Sequence, residues 1–314
     1  MDLKSIKIYN QRDFPPYLPK LNAIYDDLFT GGKGLRSRLI GLMSLHLSLS
    51  EKVTTLLAQT IEFIHNASLL HDDLVDRSHL RRSKPTAWLK YSPEYAVLAG
   101  DYLLARVMVN LSSHGNIKLV HYTSEIISDL LEGEWIQDSL VSDLDVRLEE
   151  LDRVHNLKTA SLFKWCLRAP FYGAENYDEN LHNLLEEMGT LLGQLFQRSD
   201  DLLDYDIRNG ENKAILGDLK SGYINSFAAF LIQDFSETRK KEFSKSTCMM
   251  DVYKNIGEQE FFRRVDEFDK INSGMIELFH HHLGSLNNYL TSGQTSLTGE
   301  LSRICKALYW RKVQ

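Results

Sequence analysis

The segment EKVTTLLAQTIEFIHNASLLHDDLVD, residues 51–76, carries the pattern that decides the fold class. Its apolar residues recur every three or four positions, which is the spacing of one face of an α-helix. The helical pattern ends in the sequence DDxxD, formed by Asp72, Asp73 and Asp76. Residues three or four apart share a helix face, so Asp72 and Asp76 should stack one turn apart with Asp73 beside them.

Helical spacing continues through much of the chain. It recurs in residues 94–113, 117–137 and 181–204. Strict alternation of apolar and polar residues is scarce, and no proline follows Pro170 to interrupt later helices. We therefore expect an all-α fold, a large single-domain helical bundle over residues 1–314 with an irregular N-terminal segment at residues 1–20. The polar stretch after about Lys245 is expected to be irregular as well.

Composition excludes several classes of protein. The chain has 314 residues, is 43% hydrophobic and 25% charged, and carries a net charge of -7, which argues against binding nucleic acid through general electrostatics. Its three cysteines lie far apart and form no CxxC pair, so a reducing compartment and a cytoplasmic location are expected. Neither a signal peptide nor a transmembrane segment is predicted, because no long uninterrupted apolar run occurs.

The aspartate spacing occurs a second time, in GQLFQRSDDLLDYD at residues 193–206, where Asp200, Asp201 and Asp204 again form DDxxD. Like charges one turn apart destabilise a helix, and helix C-termini repel anions. A single DDxxD is typical of a solvated helix end, but two copies with identical spacing indicate cation binding. Oxygen ligands without a cluster of histidine or cysteine favour Mg²⁺ over Zn²⁺, so His71 is interpreted as a packing or hydrogen-bonding residue.

Basic residues follow the first motif and precede its helix. Mg²⁺ typically binds a few carboxylates together with substrate phosphates, and a diphosphate could also accept bidentate hydrogen bonds from Arg81 and Arg82. Taken alone, this arginine pair would be a solvated basic loop. The segment GGKGLRSRL places Lys33 and Arg36 at a helix start, which suits an anion although no P-loop pattern is present. His65, two helical turns before the first aspartate, would by itself be interpreted as a buried core histidine.

These motifs occur together, and in this order, in one protein family. The sequence resembles the trans-isoprenyl diphosphate synthases, also called the polyprenyl synthetase family, and most of all its medium- and long-chain members. GGKGLRSRL resembles the family's GGKRLRP, and the two DDxxD segments resemble its two aspartate-rich motifs. GDYLLA, EGEWIQ and KTASLF lie between them in the family order. The match covers roughly residues 30–230 and is far more specific than a single DDxxD.

The resemblance implies a homodimer of helical bundles, each with a deep central cavity and with the two aspartate motifs facing each other across its mouth. It implies three Mg²⁺ ions and two substrates, an allylic diphosphate and isopentenyl diphosphate. The allylic substrate would ionise, the double bond of isopentenyl diphosphate would attack the carbocation, and a proton would then leave. No dedicated side-chain base is needed if the released pyrophosphate takes that proton.

The same resemblance implies roles for single residues. The metal ligands would be Asp72, Asp73, Asp76, Asp200, Asp201 and Asp204. The allylic diphosphate would be bound by Arg81, Lys158 and Lys213, and isopentenyl diphosphate by Lys33, Arg36, His65 and Arg82. The residues expected to act directly in catalysis are Asp72, Asp73, Lys158, Thr159, Gln197 and Asp200, of which Thr159 and Gln197 would line the space where positive charge develops.

One segment departs from the family pattern. GDLKSGYINSF, residues 217–227, stands where the family has GKDLREGKxTLP. Tyr223 occupies the position of a lysine and Phe227 roughly that of the proline, whereas Lys213 keeps the preceding lysine position. One cation near the allylic diphosphate is therefore missing unless Lys220 compensates for it.

Three other functions are compatible with parts of the sequence. A class I terpene cyclase also uses DDxxD, but its second motif carries a serine where Asp204 stands. A non-catalytic partner subunit of the same fold usually lacks one of the motifs, and both are intact here. A structural protein that binds calcium or magnesium would give no reason for the arginine pair.

The sequence makes a testable prediction about product length. If the helix that carries the first motif forms one cavity wall, the growing chain runs back from Asp72 past Ala67, Ile64 and Thr60, at about 5.4 Å per helical turn. Short-chain family members commonly carry an aromatic residue at the position of Ala67. Because Ala67 leaves that level open, we expect a polyprenyl product of about twenty carbons or more, such as a quinone tail. Ala67→Tyr should shorten the product by steric blockage without abolishing turnover.

The measurement is the size distribution of products formed from labelled isopentenyl diphosphate supplied in excess. A wild-type product that stops at about fifteen carbons, or an Ala67→Tyr variant with an unchanged distribution, would show that the chain does not pass Ala67.

Overall fold

The computed structural model describes residues 12–29, 34–81, 84–206, 215–291 and 296–309. Within these ranges the regular structure is almost entirely helical, which confirms the predicted all-α class. The helices are α1 (Pro19–Phe29), α2 (Leu35–His46), α3 (Glu51–Val75), α4 (Ala87–Lys90), α5 (Pro93–His114), α6 (Ile117–Ser139), α7 (Leu148–His155), α8 (Ser161–Gly173), α9 (Glu179–Leu203), α10 (Gly217–Lys220), α11 (Ser226–Ile232), α12 (Glu237–Phe243), α13 (Met249–Ile256), α14 (Glu258–Leu286) and α15 (Ser296–Tyr309). A π-helical turn (Asn156–Ala160), a 3₁₀ turn (Asn287–Tyr289) and a hairpin of two short strands, β1 (Leu80–Arg81) and β2 (Lys84–Pro85), complete the described elements.

The chain forms two compact units. The first comprises Met1–Ser128 together with Lys164–Glu186, and the second comprises Asp129–Phe163 together with Glu187–Gln314. Each unit is therefore assembled from two separate stretches of sequence. The expectation of one domain over residues 1–314 stays a prediction.

Helix α3 forms the core of the first unit and packs against α2 and α5. The three positions expected to border a growing chain, Ala67, Ile64 and Thr60, are all buried on this helix. His71 lies against α5, where a Cβ atom at Gly100 would come within 2.2 Å of its Nε2 atom. This contact confirms that His71 is a packing residue, as the sequence suggested.

A buried polar network holds the segment that precedes α1. No helix occurs in the described part of this segment, in agreement with the expected irregular N-terminus, yet Asp13 and Phe14 are buried. Arg106 Nε and Gln59 Nε2 donate to the Asp13 carboxylate at 2.8 and 2.7 Å, and the Tyr102 hydroxyl donates to its carbonyl oxygen at 2.9 Å. Removing one partner of such a buried ion pair typically costs about 3–5 kcal/mol, so the network fixes this segment firmly.

The prediction of an irregular chain after about Lys245 is wrong. Helices α13, α14 and α15 occupy most of the described residues there, and α14 alone runs for 29 residues. Phe261, Phe268, Ile276 and Phe279 form its buried stripe at helical spacing. This stripe is narrow and lies among many charged residues, so the polar composition of the segment conceals an amphipathic helix.

Candidate functional site

The first aspartate motif lies where α3 ends and the chain reverses. Asp76 caps the helix, and Arg77 after it adopts the left-handed conformation with φ 52°. The Ser78 N–H donates to the carbonyl oxygen of Asp73 at 2.9 Å. This is the hydrogen-bond pattern of a Schellman motif, in which glycine usually takes the left-handed position. The turn directs the following residues back toward the end of α3.

This reversal leads into the β1–β2 hairpin, which brings Arg81 back to the aspartate motif. Arg81 Nε donates to Oδ1 and Oδ2 of Asp73 at 2.9 and 2.8 Å, and its Nη2 donates to Oδ1 at 2.7 Å. The Trp88 indole N–H and the Thr86 hydroxyl donate to the Ser78 carbonyl at 2.9 and 2.7 Å and hold the base of the hairpin. Arg81 therefore pairs directly with one of the three aspartates.

The three carboxylates of the first motif consequently lie in different surroundings. Asp73 is buried and bound by the Arg81 guanidinium, whereas Asp72 is partly buried and Asp76 is exposed. The sequence analysis missed the Asp73–Arg81 pair, because eight residues and a chain reversal separate the partners. A metal-binding role for Asp73 stays a prediction. Arg82 lies outside the described residues.

The structure brings together two residues predicted to bind one diphosphate. Gly34, with φ 56°, precedes α2, and Arg36 in the first turn of α2 places Nη1 at 3.3 Å from Nε2 of His65 on α3. Burial lowers the pKa of Arg36 below its ordinary value, and the charges of the nearby Cys166 and Glu62 offset only part of this shift. The guanidinium is thus a partly desolvated cation held next to an imidazole. Lys33, predicted for the same group, lies outside the described residues.

In the second unit, the π-helical turn Asn156–Ala160 presents two predicted residues, Lys158 and Thr159. A π-helical turn is frequent at functional sites because it changes the direction of side chains within a helix. Helix α9 approaches the turn so closely that a Cβ atom at Gly193 would lie 2.2 Å from the Ala160 Cα atom. Lys158 forms an ion pair with Glu134.

The second aspartate motif ends α9 and begins a continuous set of hydrogen bonds. Asp201, only 2% exposed, accepts from Gln197 Nε2 at 2.9 Å and from the N–H and the hydroxyl of Ser226 at 3.0 and 2.5 Å. The Thr159 hydroxyl donates to Gln197 Oε1 at 2.9 Å. The structure therefore connects Thr159 and Gln197, which the sequence grouped together, to Asp201 and to Ser226, which the sequence analysis did not select.

The other two aspartates of this motif have different surroundings. Asp204 is buried, and its two carboxylate oxygens accept from the N–H groups of Gly217 and Asp218 at 2.8 and 3.3 Å. It therefore satisfies the first N–H groups of α10. Asp200 is partly buried. The sequence analysis missed these bonds, because the two donors lie 13 and 14 residues after Asp204 in the sequence.

The residues directly before the second motif anchor the end of α9. Arg198 Nη2 donates to both carboxylate oxygens of Asp152 at 2.8 Å, and its Nη1 donates to Asn272 Oδ1 at 3.0 Å. The Ser199 hydroxyl donates to the carbonyl oxygen of Tyr309 at 2.9 Å. Helices α7, α14 and α15 thus fix the position of the motif within the second unit.

The segment that departs from the family pattern contributes no charge in place of the lysine. Tyr223 is mostly buried; burial and the charges of Asp201, Asp218 and Glu134 raise its pKa, so its hydroxyl is neutral at ordinary pH. Lys220, considered as a compensating cation, donates to the Ile215 carbonyl oxygen at 2.8 Å. Lys213 lies outside the described residues.

In the part of the chain that the structure describes, no three His, Cys, Asp or Glu side chains are gathered into a preformed metal centre. The carboxylates that lie at helix ends with some exposure are Asp72, Asp76 and Asp200. Within each unit taken by itself, such carboxylate oxygens suit a hard divalent cation that completes its coordination with water and phosphate oxygens.

Comparison with known proteins agrees with this arrangement. The sequence profile of the Polyprenyl synthetase family matches residues 18–256. The chain belongs to that family. Family membership confirms the resemblance that the motifs indicated, and it accounts for the order in which they occur.

Several family relatives are named for long products. The chain is 34% identical to solanesyl-diphosphate synthase 2 of Oryza sativa, over 80% of this chain and 65% of that protein. It is 32% identical to a prenyl transferase of Synechocystis, over 85% and 84% of the two chains, and 36% identical to the octaprenyl diphosphate synthase of Escherichia coli, over 61% and 59%. The match thus spans about two thirds or less of the rice and Escherichia coli proteins.

Solved structures of the family share the fold. A decaprenyl diphosphate synthase from Rhodobacter capsulatus superposes with a TM-score of 0.82 at 25% identity, covering 95% of this chain and 91% of that one. A polyprenyl synthase from Caulobacter crescentus, solved with calcium and isoprenyl diphosphate, gives a TM-score of 0.78 at 24% identity, covering 95% and 90%.

As in the sequence-based expectation, no described helix is long and apolar enough to cross a membrane. The cytoplasmic location stays a prediction.

The buried histidine beside the second motif gives a prediction about pH. His155 Nε2 lies 3.6 Å from Asp201 Oδ2, and burial lowers the pKa of His155 from 6.5 to about 4, although Asp152 opposes the shift. Below pH 6.5 the unfolded chain therefore binds a proton that the folded protein does not bind. The free energy of unfolding should fall as the pH falls from 6.5 to about 4, by up to about 1.4 kcal/mol per pH unit.

Urea unfolding at a series of pH values, for the wild type and for His155→Gln, measures this contribution. Glutamine does not titrate, so the variant should show a shallower fall over the same window, whatever its stability at pH 7. Equal slopes in the two proteins would mean that His155 is protonated in the folded state as readily as in the unfolded chain.

Proposed function

We propose that the protein is a prenyltransferase that condenses an allylic diphosphate with isopentenyl diphosphate head to tail, releasing pyrophosphate. The product would be a polyprenyl diphosphate of about twenty carbons or more, as inferred from the small side chain at Ala67. The observation that carries the proposal is that both DDxxD motifs end long helices and that protein donors hold Asp73, Asp201 and Asp204 in place. The names of the relatives favour a synthase over a cyclase or a non-catalytic subunit.

The carboxylates of Asp72, Asp76 and Asp200 would hold Mg²⁺, in the number of three ions that the resemblance implies. The remaining aspartates of the two motifs are engaged by protein donors and would support these three. Bound Mg²⁺ would neutralise part of the negative charge that develops on the leaving diphosphate. A relative solved with calcium supports a requirement for a divalent cation without identifying the metal used here.

The protein's own cations would bind the two diphosphates. Arg36 and His65 form a fixed pair that suits isopentenyl diphosphate, because the guanidinium is already oriented and partly desolvated. Lys158, held by Glu134, and Arg81, held by Asp73, are the corresponding described cations for the allylic diphosphate. Groups held in place before the substrate arrives stabilise developing charge without the cost of reorganisation.

The reaction itself follows from these assignments. The allylic C–O bond breaks and its electron pair leaves with the diphosphate. The double bond of isopentenyl diphosphate forms the new C–C bond, and the proton lost from the adjacent carbon passes to the released pyrophosphate. Gln197 and Thr159 would lie beside the allylic carbon, where their oxygen atoms stabilise positive charge. An apolar lining excludes the water that would quench the carbocation.

Substitution of one aspartate in each motif tests the proposal. Asp72→Ala and Asp200→Ala should each lower kcat by about 100-fold or more, because an interaction with developing charge in the transition state is lost. Turnover is measured as incorporation of labelled isopentenyl diphosphate, and circular dichroism checks that both variants are folded. Asp266→Ala, at an exposed position on α14, is the control and should keep full activity. Unchanged kcat in either folded variant, or full turnover in excess chelator, would contradict the proposal.

We also propose that the protein is a homodimer, as the resemblance implies. Helices α5 and α6 carry large exposed apolar side chains, among them Leu98 (63% exposed), Ile117 (75%) and Trp135 (77%). Leu131 (51% exposed) and Trp135 lie one turn apart on α6, and exposed apolar side chains on neighbouring turns are typical of a surface that another chain covers.

The mass in solution tests this proposal. Sedimentation equilibrium of the wild type should give about twice the chain mass of 36.2 kDa. Trp135→Glu should shift the mass toward that of one chain, because a charge would be buried without a partner. Met250→Glu, at another exposed apolar position on α13, should leave the dimer intact. A monomeric wild type, or a Trp135→Glu variant that stays dimeric, would rule out this surface.

A further inference from the structure

Four side chains of the second unit, Ser226, Asp201, Gln197 and Thr159, form a hydrogen-bonded chain with a definite direction. We infer that Asp201, held by Ser226, is a positioning residue that fixes this direction, so that Gln197 and Thr159 present oxygen lone pairs to the reacting carbocation. The inference rests on the proposed prenyl transfer and goes beyond it, because it gives Asp201 a role other than that of a metal ligand.

The direction of the chain follows from its first bond. The backbone N–H of Ser226 can only donate, so Asp201 Oδ2, at 3.0 Å, must accept. The Ser226 hydroxyl donates to the same oxygen at 2.5 Å, and Gln197 Nε2 lies 2.9 Å from Oδ1. An ionised carboxylate only accepts hydrogen bonds, so Gln197 must turn its NH₂ group toward Asp201.

The orientation of Gln197 then decides that of Thr159. With its NH₂ group toward Asp201, Gln197 has its Oε1 atom directed at the Thr159 hydroxyl, 2.9 Å away. The hydroxyl hydrogen is used in this bond. Both oxygen atoms keep lone pairs that no hydrogen of the chain occupies. If the direction of this hydrogen-bonded chain were reversed, Gln197 would donate to the Thr159 oxygen. The hydroxyl hydrogen of Thr159 would then be free to point at the positive charge.

Burial makes this arrangement rigid. Asp201 is 2% exposed, so water cannot readily replace its protein donors. Among the described basic side chains, His155 lies beside Asp201, but its Nε2 atom is 3.6 Å from Oδ2, which is too long for a hydrogen bond. A buried carboxylate needs hydrogen bonds or an opposite charge. Ser226 and Gln197 supply those hydrogen bonds, and both oxygen atoms of Asp201 are engaged by them.

Ser226 stands where the pattern GKxTLP, which this segment was compared with in the sequence analysis, has leucine. Asn225 caps α11 by accepting from the Ala228 N–H at 3.0 Å, which makes Ser226 the first residue of that helix. The first N–H groups of a helix lack partners within it. The Ser226 N–H is therefore available to Asp201, and the serine side chain adds a second donor that leucine could not provide.

The decisive test exchanges the amide and the carboxylate. Asp201→Asn keeps the size of the side chain but can turn an NH₂ group toward Gln197, which reverses the chain; kcat should fall about 10- to 100-fold. Gln197→Glu alone should also lower kcat, because two carboxylates would then face each other. The double variant Asp201→Asn, Gln197→Glu restores one donor facing one acceptor and again requires Thr159 to donate. Its kcat should exceed that of either single variant by about tenfold or more, with KM for both substrates within about twofold throughout.

A binding measurement separates this role from metal ligation. Mn²⁺ binding in the presence of pyrophosphate, followed by electron paramagnetic resonance, should be unchanged in Asp201→Asn and weakened about tenfold or more in Asp200→Asn. Equal weakening in the two variants would make Asp201 a ligand and overturn the inference. So would a double variant no more active than the single variants.

A milder variant guards against loss of folding. Ser226→Ala removes one donor and keeps the backbone N–H, so kcat should fall about fivefold while Mn²⁺ binding stays the same. Unchanged kcat in this variant would contradict the role given to Ser226. If the wild type incorporates no isopentenyl diphosphate at all, the proposed function fails. If the wild type is active and the exchange does not recover kcat, only the present inference fails.

Discussion

The crowding of carboxylates at a helix end, that of α3 in the first unit and that of α9 in the second, is the constraint on which the surroundings of each aspartate motif depend. Each DDxxD places like charges on one or two helical turns, at the end of the helix that repels anions. The protein holds three of these carboxylates, each in a different way: Arg81 neutralises Asp73, Ser226 and Gln197 bind Asp201, and the start of α10 binds Asp204. Local features of the two units, including the β-hairpin and the short α10, are placed so as to satisfy these charges.

The cations follow the same logic. Arg36 contacts His65, and Lys158 forms an ion pair with Glu134. Both basic side chains are therefore ordered before a substrate binds. Ordering a long basic side chain costs conformational entropy. Here the side chains are ordered when the protein folds, so substrate binding does not carry this entropy loss. On α6, a Cβ atom at Gly133 would lie 2.6 Å from Lys158 Cγ, so this glycine lets α6 approach the π-helical turn closely enough for Glu134 to meet Lys158. The proposed reaction, with two diphosphates and a carbocation, would benefit from charges that are fixed in advance.

The sequence predicted the helices and the aspartate motifs because both depend on local spacing. Helical periodicity identified α3 and α9, and the motifs placed Arg36 and His65 in one group, which the 3.3 Å contact supports. The pairing of Asp73 with Arg81 was missed because it depends on a left-handed turn at Arg77. Such a turn is usually predicted from a glycine, and here the residue is an arginine. Helix α14 was missed for a different reason. Its apolar stripe is narrow and lies among many charged residues, so the composition of the segment as a whole suggested an irregular chain.

The segment 217–227 shows how two departures from a family pattern can compensate each other. A lysine at the position of Tyr223 would place a positive charge near Asp201, Asp218 and Glu134, the carboxylates whose charges act on the tyrosine here. The neutral tyrosine lacks that charge, and no lysine or arginine among the described residues forms an ion pair with the buried Asp201. Three residues later, Ser226 supplies a hydroxyl donor where the family has leucine. Hydrogen bonding therefore replaces charge as the means of stabilising Asp201, and the carboxylate keeps the orientation that Gln197 and Thr159 require.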